Sequence, residues 1–139
     1  MRVLLDTNVH ISAVLFGGPS REILMAGVRG RLHIVSSVAL LDEFEELLVE
    51  KFSFSVDAAR AIRGELEAVV DVVEPEEIPE ICRDPDDNQV LGAAATGGVE
   101  AIVTGDKDLL DLGSYEGIGI VQPAEFVRSL PDDGSAGKG

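Results

Sequence analysis

Val3-Leu4-Leu5 opens the chain as an apolar run that stops abruptly at Asp6-Thr7-Asn8. A run without polar alternation suits a strand covered on both faces, as in a parallel sheet. Val9 to Phe16 is apolar and ends in Gly17-Gly18, which predicts a short helix with a glycine stop. Pro19 fits the first position of a second helix reaching about Val28. Leu32 to Val35 predicts a second strand, and Ser36 and Ser37 are good caps for a helix running to about Glu50. In that helix Leu40, Leu41, Phe44, Leu47 and Leu48 fall on one stripe at about 100° per residue. Glu43 and Glu45 flank the stripe on opposite sides, while Asp42 and Glu46 face away.

Ser55 caps a further helix, with Asp57 in its first turn, expected to reach about Val70. Asp71 to Val73 predicts a short strand, and Glu74 to Pro79 a connecting loop. In Arg83-Asp-Pro-Asp-Asp-Asn-Gln-Val-Leu91, Pro85 disfavours helix at Asp84, and Asp86 followed three residues later by Gln89 has the form of a capping box. A helix is therefore expected from Asp86, with Asp86 as its cap. Asp87, Val90, Leu91 and Ala94 then recur at i, i+3, i+4 and i+7, which puts Asp87 on the buried stripe. Gly97-Gly98 ends the helix. Ala101 to Thr104 predicts a buried strand, and Gly105-Asp-Lys-Asp follows at once, so a second strand ends in acids, Asp106 and Asp108. Ile118 to Val121 predicts a last strand, and Pro123 opens a terminal helix ending near Leu130. Residues 131–139, rich in Gly, Asp and Ser, read as a flexible tail.

This alternation implies a three-layer α/β/α sandwich, one domain over residues 1–130, with a central parallel sheet of about four to five strands. The carboxyl ends of parallel strands share one edge, so Asp6 and Asp106 converge there if their strands are adjacent. Helices start at that edge too. Asp87, at a helix start, and the first-turn region containing Glu43 reach the same cleft. Ionised carboxylates crowd together only where cations neutralise them. Oxygen-only ligation selects a hard divalent ion, Mg²⁺ or Mn²⁺, and such ions favour phosphate oxygens.

Asp6-Thr7-Asn8 on the opening strand, an acid in the third helix, Asp84-Pro-Asp-Asp-Asn88 before an alanine-rich helix, and Thr104-Gly-Asp-Lys-Asp-Leu109 after a strand together resemble a PIN domain. The likeness runs from about Arg2 to Leu130 and is nearest to the VapC-type ribonuclease toxins of prokaryotic toxin–antitoxin pairs. The resemblance implies an endoribonuclease using one or two Mg²⁺ or Mn²⁺ ions. Its catalytic and metal-binding acids map onto Asp6, Glu43, Asp87 and Asp106, with Asp108 as an accessory ligand. For the helical acid, geometry left Glu43 and Glu45 tied, and the family pattern selects Glu43. Asn8 and Thr104 match the polar positions that orient the carboxylates through hydrogen bonds. An RNA substrate, an antitoxin partner and a homodimer come with the same resemblance.

Composition bears on this picture in several places. No apolar run approaches the roughly 18 residues of a membrane span and the start lacks a signal segment, so the cytoplasm is the expected location. Cys82 is the only cysteine and reads as a bland thiol; His10 and His33 are the only histidines and have no zinc spacing. A net charge of −15 repels nucleic acid at long range. RNA binding would then need metal ions or a local strip formed by Arg21, Arg29, Arg31, Arg60 and Arg63. Lys107 beside the acids is either a phosphate contact or a solvated lysine. Two other readings compete: a PIN-like binding module without catalysis, and a receiver or dehalogenase-like protein with Asp6 as phospho-acceptor. The latter expects a second acid where Asn8 stands. The 26 acids against three lysines are also the balance of a protein adapted to high salt. In that case the melting temperature rises with KCl concentration, and a flat or falling curve would count against the adaptation.

Overall fold

Val3, Leu4 and Leu5 are fully buried, so the opening strand is covered on both faces, as its unbroken apolar run demands. The computed structural model describes residues 1–130, and the tail expected over 131–139 lies outside them. In chain order the elements are β1 (Arg2–Leu5), α1 (Thr7–Leu15), α2 (Gly18–Val28), β2 (His33–Ser37), α3 (Val38–Glu50), α4 (Val56–Glu67), β3 (Val70–Val73), α5 (Pro85–Gly97), β4 (Ala101–Val103), α6 (Lys107–Leu112), β5 (Ser114–Tyr115), β6 (Ile118–Val121) and α7 (Pro123–Arg128). The strands form one sheet in the order β3-β2-β1-β4-β6-β5. All neighbours are parallel except β5, which pairs antiparallel with β6. None of the described helices is long and apolar enough to cross a membrane.

Helices cover both faces, which makes the three-layer α/β/α sandwich. On one side Val3, Leu5 and Ile34 pack with Val9, Ile11, Ile23, Leu41, Phe44, Leu48 and Phe126. On the other, Leu4, Val35 and Ile102 pack with Val90, Leu91, Ala94 and Leu109. Successive residues of β1 thus serve opposite layers, the period-2 geometry of a strand. The apolar stripe of α3 is buried at Leu40, Leu41, Phe44 and Leu48, with Leu47 at its margin.

The sheet order places the site. From β1 the chain first builds outward to β2 and β3, then returns to add β4 and β6 on the other side. β1 and β4 therefore flank the topological switch point, where open α/β sheets form a crevice beyond the carboxyl ends of their strands. Leu5 pairs with Val103, so Asp6 and Thr104 leave the sheet side by side.

Two elements depart from the expected order. α6 has six residues and β5 has two, too few for periodicity to register. β5 closes a hairpin with β6 through Glu116 and Gly117, both at positive φ. The start of α5 is a correction: Asp84, not Asp86, is the cap, and its side chain accepts from the Asp86 N–H at 2.9 Å. Pro85 occupies the first helical turn, where its missing N–H costs nothing. Gly98 ends α5 in the left-handed conformation, at φ 62°.

Glycine also sets how closely the loop after β3 lies on α5. A Cβ at Gly92 would stand 2.7 Å from the Glu77 carbonyl oxygen and 2.9 Å from the Ile78 side chain, whereas one at Gly64 in α4 would meet nothing within 4 Å. Gly64→Ala is expected to stabilise by about 0.5–1 kcal/mol through helix propensity. Gly92→Ala is expected to destabilise by about 1 kcal/mol or more, because overpacking outweighs that gain. Urea denaturation of the two variants checks the pair, and a Gly92→Ala protein as stable as Gly64→Ala would contradict the packing described.

Candidate active site

Asp6 is the last residue before α1 and caps that helix. Its Oδ1 accepts the Thr7 N–H at 2.7 Å, and its Oδ2 accepts the Thr104 hydroxyl at 2.7 Å. The Thr104 Oγ1 in turn accepts the Asp106 N–H at 2.9 Å. One buried hydroxyl therefore joins the ends of β1 and β4. Asp106 caps α6 in the same manner, its Oδ1 accepting the Asp108 N–H at 3.2 Å. Asp87, buried in the first turn of α5, shares a hydrogen bond with Asp106. Carboxylate oxygens of Asp87, Asp106 and Asp108 lie within 4.8 Å of one another.

Glu43 reaches this edge from α3. Its Oε1 accepts the Thr7 hydroxyl at 2.6 Å, and it shares a hydrogen bond with Asp86. Glu45, its rival on the helix, faces α4 and pairs with Arg63 at 3.1 Å. Asp6 stands between the two carboxyl pairs and feels the charge of both Asp106 and Asp86.

Two expectations about the polar residues change. Asn8 is exposed and makes no hydrogen bond to the carboxylates. Since α1 begins at Thr7, the side chain of Asn8 turns about 100° away from that of its neighbour, and Thr7 is the residue that holds Glu43. Asp86, freed from capping, joins the constellation as a sixth acid beside the expected four and the accessory Asp108. The signal for Thr7 was present in the sequence: a strand that ends in a helix cap puts the next residue in the first turn. Asp86 follows Pro85 into the first turn of α5, as Asp87 does.

Of the predicted basic strip, Arg21, Arg60 and Arg63 are engaged away from the acids. Arg63 pairs with Asp42, Glu45 and Glu67, and Arg60 with Glu45, all on α3 and α4. Arg21 donates to the Ala13 and Val14 carbonyls at the end of α1. Lys107 pairs with Asp111 at 2.7 Å along α6, which is the solvated reading. His10 is fully enclosed, with both ring nitrogens lacking a partner and its ring edge-on to Phe44 at 6.3 Å.

The electrostatics follow from this crowding. Burial, then the shared hydrogen bond and charge of Asp106, push the Asp87 carboxyl up to about 8. Burial and Asp86 push Glu43 up to about 7 against the lowering bond from Thr7. Burial also raises Asp6, in spite of the bonds from Thr104 and Thr7. The chemistry of this donor set fits a hard divalent cation: every ligand atom offered is a carboxylate oxygen, and the cluster is unfavourable when ionised and uncompensated.

A carboxyl raised in the folded state contributes stability that is complete below its unfolded value near 4 and is lost as pH rises through the folded value. Burial lowers His10 to about 4, so its contribution is present above about 6.5 and disappears on the acid side. Between about pH 6.5 and about pH 8 the carboxyls dominate. In EDTA the melting temperature is expected to fall over that window. Asp87→Asn should remove much of the fall and raise the value at pH 8 by about 5 °C. An Asp87→Asn protein with the wild-type slope would overturn this account.

A search of curated proteins finds no match. Among solved structures, the chain is similar to VapBC2 from Rickettsia felis bound to a DNA fragment from their promoter, with a TM-score of 0.62 at 12% identity over 86% of this chain and 97% of that one. It is also similar to PAE2754 from Pyrobaculum aerophilum, with a TM-score of 0.62 at 17% identity over 94% of this chain and 89% of that one. These likenesses are of fold. The PIN domain family matches in sequence over residues 2–108, well beyond half of the chain, and the chain belongs to that family.

Proposed function

We propose that this PIN domain is a metal-dependent endoribonuclease that hydrolyses RNA phosphodiester bonds and serves as the toxin of a toxin–antitoxin pair in the cytoplasm. The observation that carries the reading is the convergence of Asp87, Asp106 and Asp108 within 4.8 Å at the switch-point edge, beside Asp6 and Glu43. Asp6, Glu43, Asp87 and Asp106, with Asp108, would hold one or two Mg²⁺ or Mn²⁺ ions. The chemistry such ions supply when bound is acidification of a water and neutralisation of charge on the phosphoryl group and leaving oxygen.

The chain's own residues supply position. The Thr7 N–H and the Thr104 hydroxyl hold one oxygen each of Asp6, and each oxygen keeps further acceptor capacity. The Thr7 hydroxyl holds Glu43 in the same way. Such orienting bonds keep carboxylates in a fixed frame before a substrate arrives. His10 is no proton carrier, since its ring nitrogens are sealed from solvent, and His33 opens β2 at the edge of the sheet opposite the acids. The antitoxin partner is supported by the likeness to VapBC2 and by the family resemblance of the motifs; a homodimer rests on the resemblance alone.

Cleavage of a mixed RNA pool in Mn²⁺ tests the assignment. Asp6→Asn is expected to lower the rate by at least about 100-fold, since loss of a metal-orienting group alone costs 10–100-fold. Mn²⁺ should also raise the melting temperature of the wild type, by mass action, and raise it less in the variant. Equal cleavage by the two proteins, or none by the wild type, would overturn the nuclease reading.

A further inference from the structure

A shallow depression of about 280 Å³ adjoins the acid cluster, lined by Ile81, Cys82, Arg83, Asp108, Asp111 and Leu112. It brings aliphatic and cationic groups next to the acids. Ile81 and Leu112 are exposed aliphatic side chains, 54% and 36% accessible, on a surface that is otherwise strongly acidic. Arg83 stands beside Asp108 at 3.7 Å, too far for a hydrogen bond, and its side chain is 91% exposed. Lys107 is already bonded to Asp111 along its own helix. Arg83 is thus, among the described residues, the cation at the cluster whose donors have no hydrogen-bond partner.

The loop that carries Ile81 and Arg83 is held in place. Asn88, buried in α5 directly after Asp87, accepts the Ile81 N–H at 3.2 Å and the Cys82 N–H at 2.9 Å, and donates to the Cys82 carbonyl at 3.0 Å. One carboxamide therefore sets the backbone of the loop relative to the acid beside it. A loop fixed in this way loses little freedom on binding, which favours recognition.

We propose that Ile81, Arg83 and Leu112 form a nucleotide subsite for single-stranded RNA next to the acid cluster, with Arg83 on a backbone phosphate and Ile81 and Leu112 against a base. The proposal rests on the ribonuclease reading and deepens it. A guanidinium fork matches a phosphate's oxygens, and in a chain of net charge −15 a local cation is needed to seat a phosphodiester. A base offers a flat apolar face to the two aliphatic side chains only when it is unstacked, which selects a single strand over a duplex.

Binding of a fluorescein-labelled, mixed-sequence, single-stranded RNA oligonucleotide, with Ca²⁺ in place of Mn²⁺, reads the subsite apart from cleavage. Arg83→Ala is expected to weaken binding about tenfold and to make the slope of log K against log salt shallower by about 0.7, as for one lost phosphate contact on a single strand. Arg83→Lys should keep the slope. Ile81→Ala with Leu112→Ala should weaken binding and leave the slope unchanged. An Arg83→Ala protein with wild-type affinity or slope, a wild type that does not bind, or duplex bound as tightly as single strand would overturn the subsite. Cleavage in Mn²⁺ separates the two readings. A wild type that cleaves, with KM unchanged in Arg83→Ala, sinks the subsite and leaves the nuclease. The expected binding losses in a protein that does not cleave keep the subsite and sink the nuclease.

Discussion

Like charges repel most strongly where water screens them least, and this fold gathers Asp6, Glu43, Asp86, Asp87, Asp106 and Asp108 around one half-dry sheet edge. Two of them, Asp6 and Asp87, are nearly fully buried. The arrangement holds together through hydrogen bonds at fixed points. Most economical of these is the Thr104 hydroxyl, which donates to Asp6 and accepts from the Asp106 backbone. It ties β1 to β4 at the place where the sheet order reverses, and so ties the site to the topology. The remaining repulsion keeps Asp87 and Glu43 well above the ordinary carboxylate range. A divalent cation is the natural counterweight to such a cluster.

The helix caps belong to the same economy. Asp6, Asp84 and Asp106 each cap a helix that starts at the carboxyl edge. A cap accepts an otherwise unpaired N–H and sits at the positive end of the helix, which stabilises an anion there. Asp6 and Asp106 therefore stabilise local structure while presenting charge to the crevice. Asp84 caps α5 and adds its charge to the field at Asp87, while Asp86 and Asp87, in the following turn, face Glu43 and Asp106.

Much of the layout was legible along the chain. The continuous apolar run of β1, the stripe of α3 and the i, i+3, i+4, i+7 series of α5 each announced their buried faces, and the strands emerged close to their expected bounds. What stayed hidden was short or relational. α6 and β5 are too brief for a pattern. The choice between Asp84 and Asp86 as cap turned on whether Pro85 stands outside the helix or in its first turn, and both are compatible with proline's fixed φ. The exchange of roles between Thr7 and Asn8 followed from α1 starting two residues sooner than its apolar run suggested.

The sequence by itself determined the alternation of strand and helix, the acid at each of two strand ends, and the placement of Asp87 on a buried stripe, because these depend on periodicity and local caps. The tertiary structure alone decided that β1 and β4 are neighbours, and only that adjacency puts Asp6 beside Thr104 and Asp106. It also turned Glu43 toward the crevice and Glu45 toward Arg63, since two positions on opposite flanks of one helix are equivalent until other helices pack around it. Likewise, the Asn88 carboxamide that holds the loop carrying Arg83 involves contacts six and seven residues apart, beyond the reach of any helical or strand period.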